Sequence, residues 1–413
     1  MTFSCVGFVS GDQPALGLGV EQTQPLELGD EVERLPDGRG AVGIDLRHEQ
    51  RLADPAVDQH LVPEAGRWDR EGRLPLEVID TLRAERLLGA ILPEKIGGGG
   101  LDAITYGLLT EQMGRGCSSV RSLLTVHDMV TLSFARWGKA ELKEGLLGAM
   151  ARGEKLGALA LSEPGIGSDA ANVETRVRRE GDAWVIDGRK KWITFGQIAD
   201  FFLVLGQSET GPTAFLVPAD APGFSRRPLE VMGTRASLVA ELIFDGCRVS
   251  ERHLLAREGR GFDLVVTQAL DHGRYSVAWG AVGIAQGCLE ASRDYAAKRH
   301  QGGKPIAEHQ LVQRMLTDMI VETEAARLLC CRAGHLRETA DPLAMAQTMK
   351  AKYYASRVAT RVANEAIQLH GANGLSPEYP VERYARDARV TEIIEGSTEI
   401  QQTSIPKLPV EEL

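Results

Sequence analysis

Paired cysteines, basic runs and membrane-length apolar stretches are all missing from this chain, and each absence removes a class of function. The six cysteines (Cys5, Cys117, Cys247, Cys288, Cys330 and Cys331) form no Cys-x-x-Cys pair and no Cys/His cluster at zinc-ligand spacing. Neither a disulfide framework nor a metal site is therefore expected, and a reducing cytoplasm fits best. No apolar run approaches the ~20 residues that span a bilayer. The start, Met1-Thr2-Phe3-Ser4-Cys5, lacks the basic region and apolar core of a secretory signal, so no membrane association or export is expected. With 47 basic against 57 acidic residues the formal net charge is -10, which argues against nucleic-acid binding, since that affinity comes mainly from phosphate neutralisation. The four glycines Gly97 to Gly100 lack the Lys-Ser/Thr that completes a phosphate loop and read as a connector between helices.

What is present is a long chain, 413 residues, whose hydrophobic period changes twice. Residues 1 to 45, rich in Gly, Pro and acids, read as a disordered leader. From 46 to 155 apolar residues recur at helical spacing, as in Leu76, Val78, Ile79 and Leu82. Between 156 and 256 the pattern turns to short β-rich runs, among them Trp184-Val185-Ile186, Lys191 to Phe195, Phe201 to Leu205 and Ala240 to Phe244. Asp187-Gly188 between two of these runs signals a hairpin. Helical spacing returns over 257 to 405, followed by a tail over 406 to 413. The order predicts an α+β protein with an N-terminal helical domain, a middle β-barrel-like domain and a C-terminal helical bundle, and excludes folds that alternate strands and helices throughout. Gly165-Ile166-Gly167-Ser168-Asp169-Ala170 satisfies G-x-G-x-x-A after a strand, but the β character of Val173 to Ile186 stands where a dinucleotide-binding helix should begin.

Near the C-terminal end, Glu395 sits between Ile393-Ile394 and Gly396-Ser397-Thr398. Apolar neighbours raise a carboxyl pKa toward working pH, and glycine admits close approach of a ligand, so a carbon-acid base could be placed here. Read alone, the string is better described as a helix start with solvated acids and a Ser/Thr cap.

Several separated motifs in one order resemble the acyl-CoA dehydrogenase family of flavoproteins, over about residues 46 to 405. They are Leu161-Ser162-Glu163-Pro164-Gly165-Ile166-Gly167-Ser168, Trp192-Ile193-Thr194, Asp271-His272-Gly273-Arg274, Arg299-His300-Gln301-Gly302, Gln368-Leu369-His370-Gly371-Ala372 and the Glu395 segment. The resemblance implies FAD, with Leu161, Ser162, Gly167, Ser168, Trp192, Ile193 and Thr194 beside the flavin. It also implies Arg299, Gln368, Leu369, Gly371 and Ala372 on a neighbouring subunit's FAD, and Gln310, Ser397 and Glu399 as further cofactor contacts. The substrate contacts implied are Ser168, Asp271, Arg274 and Gly396. In some members the base lies just before the helix arginine; here that position is Gly273, and the resemblance puts the base at Glu395. Its chemistry would be removal of an acyl thioester α-proton with hydride transfer to flavin N5.

Gly116 to Ser122, Gly273 to Gly280 and Ile393 to Ser397 look most like a subgroup from polyketide extender-unit pathways that acts on short hydroxylated acids held on an acyl carrier protein. A carrier-protein thioester is thus favoured over coenzyme A, with a short- or branched-chain acyl-CoA dehydrogenase as the alternative. A flavin monooxygenase on the same fold and a silent flavin-binding subunit are further alternatives. A homodimer or homotetramer and an electron-transfer flavoprotein as acceptor are implied by resemblance alone. Tyr275 and Trp279 on one helix face would either shorten the acyl pocket or fill the core.

Overall fold

A computed structural model describes residues 57–408. Expectations placed on residues 1–56, the leader included, and on 409–413 lie outside the described residues. The N-terminal part is helical: α1 (Val62–Glu71), α2 (Leu76–Ala84), α3 (Ala103–Gly116), α4 (Ser118–Trp137) and α5 (Ala140–Ala151). Asp102 caps α3 by accepting from the Thr105 N–H at 2.8 Å, satisfying a donor that the first turn leaves free. The glycine connector before it is a place of backbone contact. A Cβ on Gly99 would lie 2.8 Å from the Ala90 oxygen, and one on Gly98 would collide with Leu92.

Eight strands follow: β1 (Gly157–Ala160), β2 (Arg176–Glu180), β3 (Ala183–Ile193), β4 (Phe201–Ser208), β5 (Gly211–Pro218), β6 (Phe224–Pro228), β7 (Ala240–Ser250) and β8 (Leu254–Leu255). They form one sheet in the order β6-β7-β3-β2-β4-β5-β8, with β1 pairing β4 in parallel. A single residue pair, Arg176 with Gln207, joins β2 to β4. The hairpin predicted at Asp187-Gly188 is not there. β3 runs straight through both residues, with a register irregularity against β7 between Ile186 and Gly188. Gly188 is needed for approach, since a Cβ would lie 2.6 Å from the Thr175 hydroxyl. The turn into β3 instead uses Gly181, whose φ of 62° suits glycine.

The C-terminal part is α6 (Thr267–Lys298), the short pair β9 (His300–Gln301) and β10 (Lys304–Pro305), then α7 (Gln310–Glu338), α8 (Ala344–His370), α9 (Val381–Ile393) and α10 (Thr398–Ser404). α6 is the central post, buried along most of its length by α3, α4, α8 and α9. Small residues let it sit close: a Cβ on Gly283 would collide with the Glu111 carbonyl of α3, and one on Gly107 of α3 with the Trp279 indole. One apolar core is therefore shared by both helical parts, through Tyr106, Leu109, Met113, Trp279, Val282 and Val358, while the sheet has its own around Trp184, Phe202 and Phe215. Each such side chain contributes about 1.5–3 kcal/mol by leaving water. Tyr275 and Trp279 belong to this packing: both are fully buried, and the Tyr275 hydroxyl donates to the Ala103 carbonyl at 2.6 Å.

Candidate active site

The chain turns sharply between α9 and α10, and the turn carries Glu395. Glu395 and Gly396 both take positive φ, 56° and 89°, a pairing that glycine tolerates and glutamate does not prefer. Three side chains from three helices hold it. Arg274 Nε of α6 donates to the Glu395 carbonyl at 3.1 Å, Lys352 Nζ of α8 to the Gly396 carbonyl at 2.6 Å, and Gln401 Nε2 of α10 to both carbonyls at 3.4 Å. Ser397 then caps α10, accepting from the Ile400 N–H. The cap reading thus holds for Ser397, the second residue after Glu395.

The strained turn aims the Glu395 carboxylate inward over α6. A Cβ on Gly273 would lie 2.5 Å from Glu395 Oε2, so glycine at that position is what makes room for the acid. The residue as a whole is half-buried, yet Oε2 itself is shut from solvent and has no hydrogen-bond partner among the described residues. Burial lifts its pKa to about 7, with Arg274, Lys352 and Arg121 opposing the rise. The Glu395 N–H likewise donates to no other group among the described residues. Lys352 and Arg121 were not singled out from the sequence. A lysine among the alanines of an amphipathic helix was the only available signal for the first. Lys352 is fully buried, and its pKa falls to about 8 for that reason.

A second cluster lies on the sheet. Ser162 Oγ donates to the Lys191 carbonyl at 2.6 Å and the Lys191 N–H returns a bond to the Ser162 carbonyl, so the Leu161–Ser162 loop is stitched to the end of β3. Beneath it Lys190, fully buried, reaches Glu163 at 2.7 Å and the Leu161 carbonyl at 3.0 Å. Burial works against the Glu163 charge, but Lys190 and the Thr175 and Glu174 N–H groups hold its pKa below the ordinary value. The result at the surface is Trp192, 52% exposed at φ 66°, with Ile193 buried behind it and Thr194 half-buried. Gly167 and Ser168 lie exposed on the same loop. An exposed aromatic face beside loop amides and hydroxyls suits a flavin ring system.

The remaining residues are elsewhere. Arg299, Leu369, Gly371 and Ala372 line a groove of about 260 Å³ at the far end of α6. Gln368 is exposed next to it, and Gln310 opens α7. Twenty-five residues of helix separate Arg299 from Arg274, on the order of 37 Å. This third cluster does not meet Glu395 within one chain. Arg299 is exposed and makes no ion pair among the described residues, leaving its fork available. Glu399 is exposed in the first turn of α10, near Ser397. Asp271 is committed to Arg337, at 2.6 Å, and its Oδ1 is buried without a partner.

Three domain models of one family match in succession: the acyl-CoA dehydrogenase N-terminal domain over residues 47–154, its middle domain over 158–247 and its C-terminal domain over 259–407. The short-chain specific acyl-CoA dehydrogenase of Rattus norvegicus mitochondria is 39% identical, over 84% of this chain and 86% of that enzyme. The chain belongs to the acyl-CoA dehydrogenase family. It is accordingly an FAD-dependent oxidoreductase that oxidises acyl thioesters, with the predicted α+β architecture. Among solved structures it is similar to FkbI, from biosynthesis of the methoxymalonyl extender unit of a polyketide. That match has TM-score 0.80 and 34% identity, over 87% of this chain and 100% of FkbI. The prolyl acyl carrier protein oxidase AnaB matches with TM-score 0.83 and 27% identity, over 87% of this chain and 97% of AnaB. No helix among the described residues is long and apolar enough to cross a membrane.

Proposed function

We propose that Glu395 is the base that takes the α-proton of a short acyl thioester. The observation that carries this is its carboxylate oxygen Oε2, held from water without a hydrogen-bond partner among the described residues, at a pKa of about 7. Such a group is ionised about half the time near neutrality and accepts a proton without first breaking a hydrogen bond. The Glu395 N–H, uncommitted among the described residues, is a donor for the enolate oxygen that develops as the proton leaves. Bound FAD supplies the acceptor for the hydride from the oxidised carbon. Leu161, Ser162, Gly167, Ser168, Trp192, Ile193 and Thr194 hold its ring, with Ser397 and Glu399 beside it. Arg274, Gly396 and Ser168 border the substrate. Asp271, locked to Arg337, serves by fixing α6 against α7.

Arg299, Gln310 and the Gln368–Ala372 segment serve the FAD of a second copy, since their distance from Glu395 leaves them no flavin in their own chain. A homodimer or homotetramer follows. The acyl group rides on a carrier protein, a reading supported by the likeness to FkbI and AnaB; the short-chain relatives favour a coenzyme A thioester instead. Anaerobic mixing of the yellow protein with matched carrier-protein and coenzyme A thioesters separates the two. Bleaching of the flavin band by the carrier-protein form alone is expected, and faster bleaching by coenzyme A would reject it. Glu395→Gln is expected to keep its flavin and lose bleaching by at least 100-fold, in line with removal of a positioned base.

A further inference from the structure

Lysine keeps its ammonium in water wherever a fold allows, because burying the charge is costly unless an anion meets it. Two lysines are fully buried among the described residues. Lys190 meets the Glu163 carboxylate at 2.7 Å. Lys352 of α8 makes no ion pair among the described residues, and its Nζ donates to the Gly396 carbonyl at 2.6 Å. Burial lowers its pKa only to about 8, so the ammonium form prevails at neutral pH.

The charges around Lys352 name the anion it answers. Glu395 acts on it most strongly; Arg274 of α6 opposes, and Glu392 of α9 and Glu399 of α10 add less. Glu392 is already paired with Arg389, and Glu399 is exposed. That leaves Glu395, one residue before the carbonyl that Lys352 bonds. The two charges act on each other without an ion pair between them, and Glu395 Oε2 keeps no hydrogen-bond partner among the described residues. Two other cations also favour the Glu395 anion. Arg274 has the larger effect but is half-buried and shared with Asp271, and Arg121 of α4 has the smaller.

A buried base has two conflicting needs. Its ionised form must be populated in apolar surroundings, which calls for a cation, yet its oxygen must stay unbonded to take a proton from carbon, which a contact ion pair prevents. A lysine on its flexible stem would ordinarily swing onto the carboxylate. The bond from Nζ to the Gly396 carbonyl holds it back.

We infer that Lys352 is a positioning residue, a counter-ion tethered to the Gly396 carbonyl so that it favours the ionised Glu395 without bonding the oxygen that takes the proton. This rests on the reading of Glu395 as the base and deepens it.

The test follows anaerobic flavin reduction of the FAD-loaded protein against pH, by butyryl-coenzyme A or butyryl carrier protein, whichever bleaches the wild type. Lys352→Met, close in length to lysine, removes the charge and should move the acid limb of the bimolecular rate up by about one pH unit, the low end of what a nearby opposite charge produces. The loss of rate against wild type should therefore be about tenfold greater near pH 6 than above about pH 9, where Glu395 is ionised in both. Lys352→Arg, which keeps a charge and a donor, should leave the limb near the wild-type pKa of about 7. A loss equal at every pH, or a limb that Lys352→Met leaves in place, overturns the assignment and makes Lys352 a structural tie alone. If Lys352→Met does not retain flavin, Lys352→Gln, which keeps a donor for the carbonyl without the charge, is read in the same way. Failure of the base reading itself shows differently, as a Glu395→Gln protein that the thioester still bleaches.

Discussion

At the scale of the residue, Glu395 is held by opposed forces. Burial favours its neutral form, while Arg274, Lys352 and Arg121 favour the anion, and the balance leaves its pKa at about 7 rather than the ordinary 4.5. A base must be ionised, so the bimolecular rate of flavin reduction should rise tenfold per pH unit below about 7 and level off above it. Stability should move the other way. A carboxyl whose folded pKa lies above its unfolded one stabilises the fold most below pH 4.5 and loses that contribution as pH rises through about 7. The Glu395→Gln variant should therefore gain on wild type by up to about 3 kcal/mol between pH 4.5 and 8, measured by denaturant unfolding. A wild type and variant with parallel pH profiles would contradict the buried-acid description. The sequence showed Glu395 because its neighbours are apolar, but it could not show that Gly273, 122 positions earlier, is the space it fills.

Elements add what single residues lack, a rigid mounting for the site. The Leu161–Ser162 loop has little regular structure of its own, and its shape comes from the buried pair Lys190 and Glu163 and from the exchange of bonds with Lys191. Removing one partner leaves the other charge uncompensated in the interior. Glu163→Gln should thus lower stability by about 3–5 kcal/mol and loosen FAD, measured as flavin released on dilution; an unchanged midpoint and retained flavin would show the pair to be incidental. Lys190 was hidden in the sequence because lysine reads as a surface residue, and only strand pairing turns it inward. The same limit explains the hairpin predicted at Asp187-Gly188. The dipeptide has turn chemistry, but its glycine is there because Thr175 passes close by, a contact no local pattern contains.

For the whole molecule, the separation of the Arg299 groove from Glu395 along α6 has a direct consequence. If each FAD is completed by a second copy, Arg299→Ala and Glu395→Gln proteins are each impaired alone but repair one another when unfolded together and refolded as mixed oligomers. One site in each mixed pair would then combine an intact base with an intact arginine. Recovery of bleaching toward a quarter of the wild-type amplitude is expected for random pairing into dimers, taking two populations of equal size. No recovery would mean that Arg299 acts within its own chain or not at all.

The sequence by itself determined the order of helical, β and helical segments, because hydrophobic period is a local property of the chain. It also determined the chemistry on offer, a carboxylate, a tryptophan and a set of arginines in motifs of recognisable order. The tertiary structure decided which of these meet. It placed Glu395 over Gly273, left Oε2 without a hydrogen-bond partner and Arg121 without an ion pair among the described residues, locked Asp271 to Arg337, and moved Arg299 and the Gln368 segment away from the base. The physical reason is that burial and electrostatic pairing depend on contacts between distant parts of the chain. The same arginine is a solvated charge or half of an ion pair according to what the fold brings beside it.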